Sequence, residues 1–159
     1  EKAVEMGDAH AMRVMGHMYE TGKGVAELPR VAMEWYTKAA EKEDIEAMCI
    51  VGVRYYEGTL VAQDHSKAME WFHKAVRLGS GEAMRMIGIM YDAGAGVDED
   101  PRKAMEWFGR AADKNDKQAL RWIGIYYFNG RGVDQHYDLA LTWFKKASGQ
   151  NDAVACRYV

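Results

Sequence analysis

Trp35, Trp71, Trp107 and Trp143 stand 36 residues apart, and three further rows keep the same interval. They are Gly16, Gly52, Gly88 and Gly124; Tyr19, Tyr55, Tyr91 and Tyr127; and Ala32, Ala68, Ala104 and Ala140. Four rows without slippage mean that one short piece of structure recurs and buries its apolar face against the next copy. The chain is therefore read as one array: residues 1–7 the tail of a preceding repeat, then repeats at 8–43, 44–79, 80–115 and 116–151. Residues 152–159 start a fifth, because Ala155 to Val159 are in register with Ala119 to Ile123. On this reading the sequence is a piece of a longer array, and targeting signals could lie outside it.

Within each unit, Asp8, Asp44, Ser80, Asp116 and Asp152 keep the interval. Asp and Ser cap helix N-termini, because the side-chain oxygen takes a backbone N–H that has no partner within the helix. A first helix, A, starts at each of them and stops at Gly22, Gly58, Gly94 and Gly130, which read as left-handed C-terminal glycines. A loop follows, with a second glycine at Gly24, Gly96 and Gly132 but Leu60 in the second unit. Helix B then begins, capped by Asp64 or Asp100 and opened by Pro29 or Pro101, a slot where the missing N–H costs nothing. Glu34–Lys38, Glu70–Lys74 and Glu106–Arg110 are spaced to pair along its outer face. The result is an all-α array of helix-turn-helix repeats.

At 100° per residue, Met12, Met15, Gly16 and Tyr19 share one face of helix A, and Ala32, Trp35, Tyr36 and Ala39 share one face of helix B. These faces are the expected core, with Gly16 and Ala32 marking close approach of the two backbones. Trp71 and Trp107 are expected to be buried between repeats. The eleven methionines fill the seams between helices, and no cofactor is needed to explain them.

Bulk properties exclude some functions. Twenty-one basic residues against 24 acidic ones give a net charge of −3 and a pI near 6.0, which argues against a nucleic-acid footprint. The longest strongly apolar run, Trp122 to Phe128, is far short of the ~20 residues a membrane helix needs.

These motifs resemble the Sel-1-like repeat, a subclass of the tetratricopeptide (TPR) superfamily. Met84-x2-Ile87-Gly88-x2-Tyr91 followed by Ala104-x3-Phe108 is similar to the superfamily pattern. Gly94-x-Gly96-Val97 and Lys103-Ala104-x2-Trp107 separate the Sel-1-like form from the ordinary 34-residue unit. The resemblance implies an α/α right-handed superhelix, a solenoid, whose A helices line the concave side. It also implies an adaptor that brings proteins together. One secreted bacterial branch staples every repeat with a disulfide. Here only Cys49 and Cys156 occur, three repeats and roughly 25–30 Å apart at 8–10 Å per helix neighbour, too far to pair. The activity of that branch is not carried over, and a reducing compartment is favoured.

If the A helices face inward as the resemblance implies, one stripe remains after packing. It comprises the row Arg13, Cys49, Arg85, Arg121 and Arg157, then His17, Val53, Ile89 and Ile125, then Glu20, Tyr56, Asp92 and Phe128. Two readings stand. In one, Arg13, His17, Glu20, Tyr56, Arg85, Ile89, Asp92, Arg121, Ile125 and Phe128 bind a partner protein or extended peptide bearing carboxylates, with Arg85 and Arg121 carrying most of the affinity. In the other, Arg85 pairs with Glu82 and the remaining charges solvate a face.

An enzyme is not expected. His10, His17, His65, His73 and His136 supply no zinc set; His17 with Glu20 is the nearest pair and lacks a third ligand. No nucleophile elbow, P-loop or dinucleotide fingerprint is present. Metal-binding or hydrolytic chemistry of the secreted branch is one alternative, and self-association by repeat stacking another. Tyr158 and Val159, with Trp122 and Tyr126 on the edge they would cover, suggest end-to-end contacts between copies.

Overall fold

The computed structural model describes residues 8–149, and these form eight helices of thirteen residues each. They fall into two compact units, Glu1–Leu78 and Gly79–Val159. The first contains α1 (Ala9–Thr21), α2 (Pro29–Glu41), α3 (Ile45–Glu57) and α4 (His65–Arg77). The second contains α5 (Gly81–Ala93), α6 (Pro101–Asp113), α7 (Lys117–Asn129) and α8 (Tyr137–Gly149). Odd-numbered helices are the A helices, and each packs most extensively on the B helix that follows it.

The caps fall where side-chain chemistry places them. Asp44, Ser80 and Asp116 accept the N–H of the residue three positions on, at 2.7, 3.1 and 2.7 Å, and Asp64 and Asp100 do the same for Lys67 and Lys103 at 3.0 Å. The A helices end at glycines with φ between 64° and 72°. One further backbone bond recurs in all four loops, returning the chain to the helix it has just left. Leu28, Asp64, Asp100 and His136 each donate to the carbonyl of the tyrosine nine residues earlier, at 2.9 Å.

The core is centred one residue along from the tryptophans. Tyr36, Phe72, Phe108 and Phe144 are at most 2% exposed. Each ring fills the recess left by the glycine on its partner A helix. A Cβ on Gly16, Gly52, Gly88 or Gly124 would stand 2.5–2.6 Å from a ring carbon. At Gly88 it would also lie 3.2 Å from the Ala104 carbonyl, so the expected backbone approach is present, with an aromatic ring as its main occupant. Truncating such a ring to alanine is expected to cost on the order of 3–5 kcal/mol.

The tryptophans depart from expectation. Trp35, Trp71, Trp107 and Trp143 are half-buried, and each carries a cation over its ring: Lys38 at 4.6 Å, Lys74 at 3.7 Å, Arg110 at 3.9 Å and Lys146 at 4.3 Å. At 100° per residue, adjacent positions cannot both face the partner helix squarely. The smaller ring takes the glycine recess, and the indole lies at the edge under the side chain three residues later. The cations expected to serve Glu34, Glu70 and Glu106 thus sit on the indole faces.

Trp122 and Tyr126, expected at an edge open to another copy, pack back on the preceding repeat. Trp122 stacks on Phe108 at 5.4 Å, and Tyr126 meets the same ring edge-on while only 1% exposed. Tyr158, Val159, Arg157 and Cys156 lie outside the described residues; Cys49 is buried.

Candidate functional site on the A helices

The stripe on the A helices serves, in large part, to join consecutive repeats within each unit. Arg13 on α1 reaches the N-cap of α3, its Nε 3.1 Å from Asp44, and its Nη1 lies 2.7 Å from Glu46. Arg85 on α5 repeats this with Asp116, the N-cap of α7, at 3.1 Å, with Glu82 more distant at 3.8 Å. The side chains of Arg85 and Asp116 retain only 10% and 12% exposure. Asp116 therefore accepts from the Ala119 N–H and from a guanidinium at once, a charge-assisted arrangement stronger than either bond between neutral groups.

The next row makes a second join. Glu20 on α1 accepts from the Tyr36 hydroxyl at 2.6 Å and pairs with Arg54 on α3 at 2.7 Å. In the second unit Asp92 on α5 accepts from the Tyr126 hydroxyl, and Arg131 pairs with Asp92 at 2.7 Å and Glu99 at 2.8 Å. Burial, and then the adjoining carboxylate, hold both tyrosine hydroxyls well above the usual phenol range. They are fixed donors, unsuited to proton transfer near neutral pH.

Four of the expected contact residues, Arg13, Glu20, Arg85 and Asp92, are thus engaged inside the protein. His17 and Phe128 are exposed, and Val53, Tyr56, Ile89, Arg121 and Ile125 are half-buried. Ile89 and Ile125 rest on the Phe108 and Phe144 core clusters respectively, with part of each side chain at the surface.

These joins reveal a period of 72 residues superimposed on that of 36. Odd repeats carry Glu20 or Asp92, Glu27 or Glu99, and Pro29 or Pro101. Even repeats carry Tyr56 or Phe128, Gln63 or Gln135, and His65 or Tyr137 at the same places. In even repeats the ring at the end of helix A meets the ring opening helix B, at 5.5 Å for both Tyr56–His65 and Phe128–Tyr137. Gln63 and Gln135 brace the pairs by donating to the carbonyls of Tyr56 and Phe128 at 2.9 and 2.8 Å.

The sequence held a signal for the first join. Arg13, Arg85 and Arg121 each precede a repeat opened by aspartate, whereas uncharged Cys49 precedes the one opened by Ser80. Residues 31 apart that change charge together are a mark of pairing, and repeat-by-repeat alignment makes them visible.

Clefts also open beside the B helices of the first unit. One of about 530 Å³ runs along α2 over Met33 and Val61, with mixed charge from Arg30, Glu34, Lys38 and Glu41. Among the described residues no group of three potential ligands could hold a metal ion, and no helix is long and apolar enough to cross a membrane.

Helical hairpins packed one on the next within each unit, with no strands among the described residues, define the class as helical-repeat proteins of the solenoid kind. The Sel1 repeat profile matches residues 9–44, 45–80, 81–116 and 117–152, and the chain belongs to the Sel1 repeat family. Among solved structures it is similar to a protective antigen, c5321, of uropathogenic Escherichia coli strains, at 33% identity and a TM-score of 0.89. That match covers 98% of this chain and 33% of the antigen. A Sel1 repeat protein from Oxalobacter formigenes is 32% identical over 94% of this chain and 61% of its own, with a TM-score of 0.87. Helicobacter pylori cysteine rich protein B matches at 27% identity over 84% of this chain and 96% of its own, with a TM-score of 0.66. The chain therefore spans a third of the first of these proteins and under two thirds of the second. No curated protein matches it significantly. Sel1 repeat proteins are generally protein-interaction scaffolds and typically non-enzymatic.

Proposed function

We propose that this chain is a scaffold segment that holds a partner protein segment against the surface of its A helices, chiefly through apolar and aromatic side chains. The supporting observation is what remains on α5 and α7 after the core and the joins are satisfied. Ile89 and Ile125 occupy one row and stay partly at the surface, and Phe128, one turn beyond Ile125, is 43% exposed. Val53 and Tyr56 on α3, with His17 on α1, are the counterparts in the first unit. Arg13, Glu20, Arg85 and Asp92 act by fixing one A helix against the next, so they set the spacing of the surface. An acidic ligand would have to displace Asp116 to reach Arg85, at the cost of a part-buried ion pair.

Selection of a displayed random-peptide library on the full chain tests this. Binders are expected whose capture is lost in Ile125→Asp and Ile89→Asp but retained in Glu34→Lys beside the α2 cleft. Binders indifferent to Ile89 and Ile125, or dependent on Glu34, would assign the surface to the B helices instead.

A further inference from the structure

Phe128 and Tyr137 form the most exposed aromatic pair described, at 43% and 60%, with ring centroids 5.5 Å apart in an edge-to-face arrangement. Exposed rings of this size are anchors when something fits them, and the charges around this pair define what fits. Asp134 and Asp138 flank Tyr137 in sequence, and both are exposed. Arg131, the nearest arginine in sequence, is already held by Asp92 and Glu99. His136 accepts the Leu139 N–H through Nδ1 at 3.3 Å. Asp134 shares a recess of about 420 Å³ with Arg102. The ring pair also sits where α7 ends and α8 begins. The partial negative charge of one helix end offsets the partial positive charge of the other, leaving the carboxylates to set the local field.

We infer that the Phe128–Tyr137 pair is an anchoring site for an arginine or lysine side chain of a basic linear peptide, the cation lying against the ring faces beside Asp134 and Asp138. This rests on the A-helix reading above and names the partner's charge. The equivalent pair in the first unit is not such a site. Its neighbouring acids already have cations, Glu57 with Arg54 and Asp64 with Lys67, and its second ring is the imidazole of His65 in place of a phenol.

The test is fluorescence anisotropy on the full chain at low salt. One probe is a labelled peptide of alternating glycine and arginine with three arginines; the other carries glutamate in place of arginine. The arginine peptide is expected to bind. Phe128→Ser with Tyr137→Ser should weaken it at least fivefold with the helical circular dichroism unchanged. Asp134→Asn with Asp138→Asn should weaken it at least threefold and flatten its salt dependence, whereas His65→Ser, in the equivalent ring pair of the first unit, should leave it unchanged. Equal binding by the double serine variant, binding of the glutamate peptide, or no binding of the arginine peptide overturns the inference. Library binders that depend on Ile125 yet lack basic residues would sink this inference and leave the A-helix reading intact.

Discussion

The ring of Phe108 occupies the space where Gly88 has no side chain, with a ring carbon 2.6 Å from where a Cβ would stand. Gly88→Ala must push that ring or separate α5 from α6, and is expected to cost about 1–3 kcal/mol in urea unfolding. Phe108→Ala should cost about 3–5 kcal/mol. Trp107→Ala should cost clearly less, since its indole is half-buried and covered by Arg110. An equal or larger loss at Trp107 would contradict this order.

Arg85→Ala should destabilise by roughly 1.5–3 kcal/mol, the range for hydrogen bonds to a charged group, and Arg13→Ala by less because its side chain is 21% exposed against 10%. A double-mutant cycle of Arg85→Ala with Asp116→Asn isolates the join from the capping role of Asp116. Additive effects would show that the two residues do not act as a pair.

Acid sensitivity follows from Asp64 and Asp100. The backbone N–H of Lys67 or Lys103 does most to hold each carboxyl below its ordinary value; burial opposes it, and the lysine side chain adds to the lowering. A depressed folded-state pKa stabilises the protein fully above the unfolded value of about 4, and that stability is lost as pH falls through the depressed value. Asp64→Asn with Asp100→Asn should therefore lower the thermal midpoint at pH 7, where the ionised carboxylates contribute fully, and make it less dependent on pH below about 4. An unchanged acid limb would mean that other carboxylates dominate it.

Glu43 and Asn115 occupy the same turn between helices with φ of 64° and 61°, and Gly79 stands there in the second repeat at 88°. Glutamate pays a steric penalty in this region that glycine does not, while asparagine is eased by its short polar side chain. Glu43→Gly should raise stability by about 0.5–1 kcal/mol after the entropy of the unfolded chain is counted, and Asn115→Gly by less. Thermal unfolding of the two single variants measures the difference.

Helix number, order, caps and turns were legible in the sequence because they are local. Asp44, Asp100, Gly94 and Pro101 act within a few residues of themselves, and the 36-residue interval repeats each signal four times over. Two aromatic residues side by side, Trp107 and Phe108, gave no local indication of which would be buried. That was decided by the recess over Gly88, a feature of a different helix. Likewise Arg85 and Asp92 had the residue types of a binding surface, but their partners, Asp116, Tyr126 and Arg131, lie 31 to 39 positions along the chain. Charge pairing across such a separation depends on how one hairpin seats on the next, so beyond the matched charges 31 residues apart it was the tertiary structure that fixed which side chains tie repeats together and which, like Ile125 and Phe128, remain at the surface.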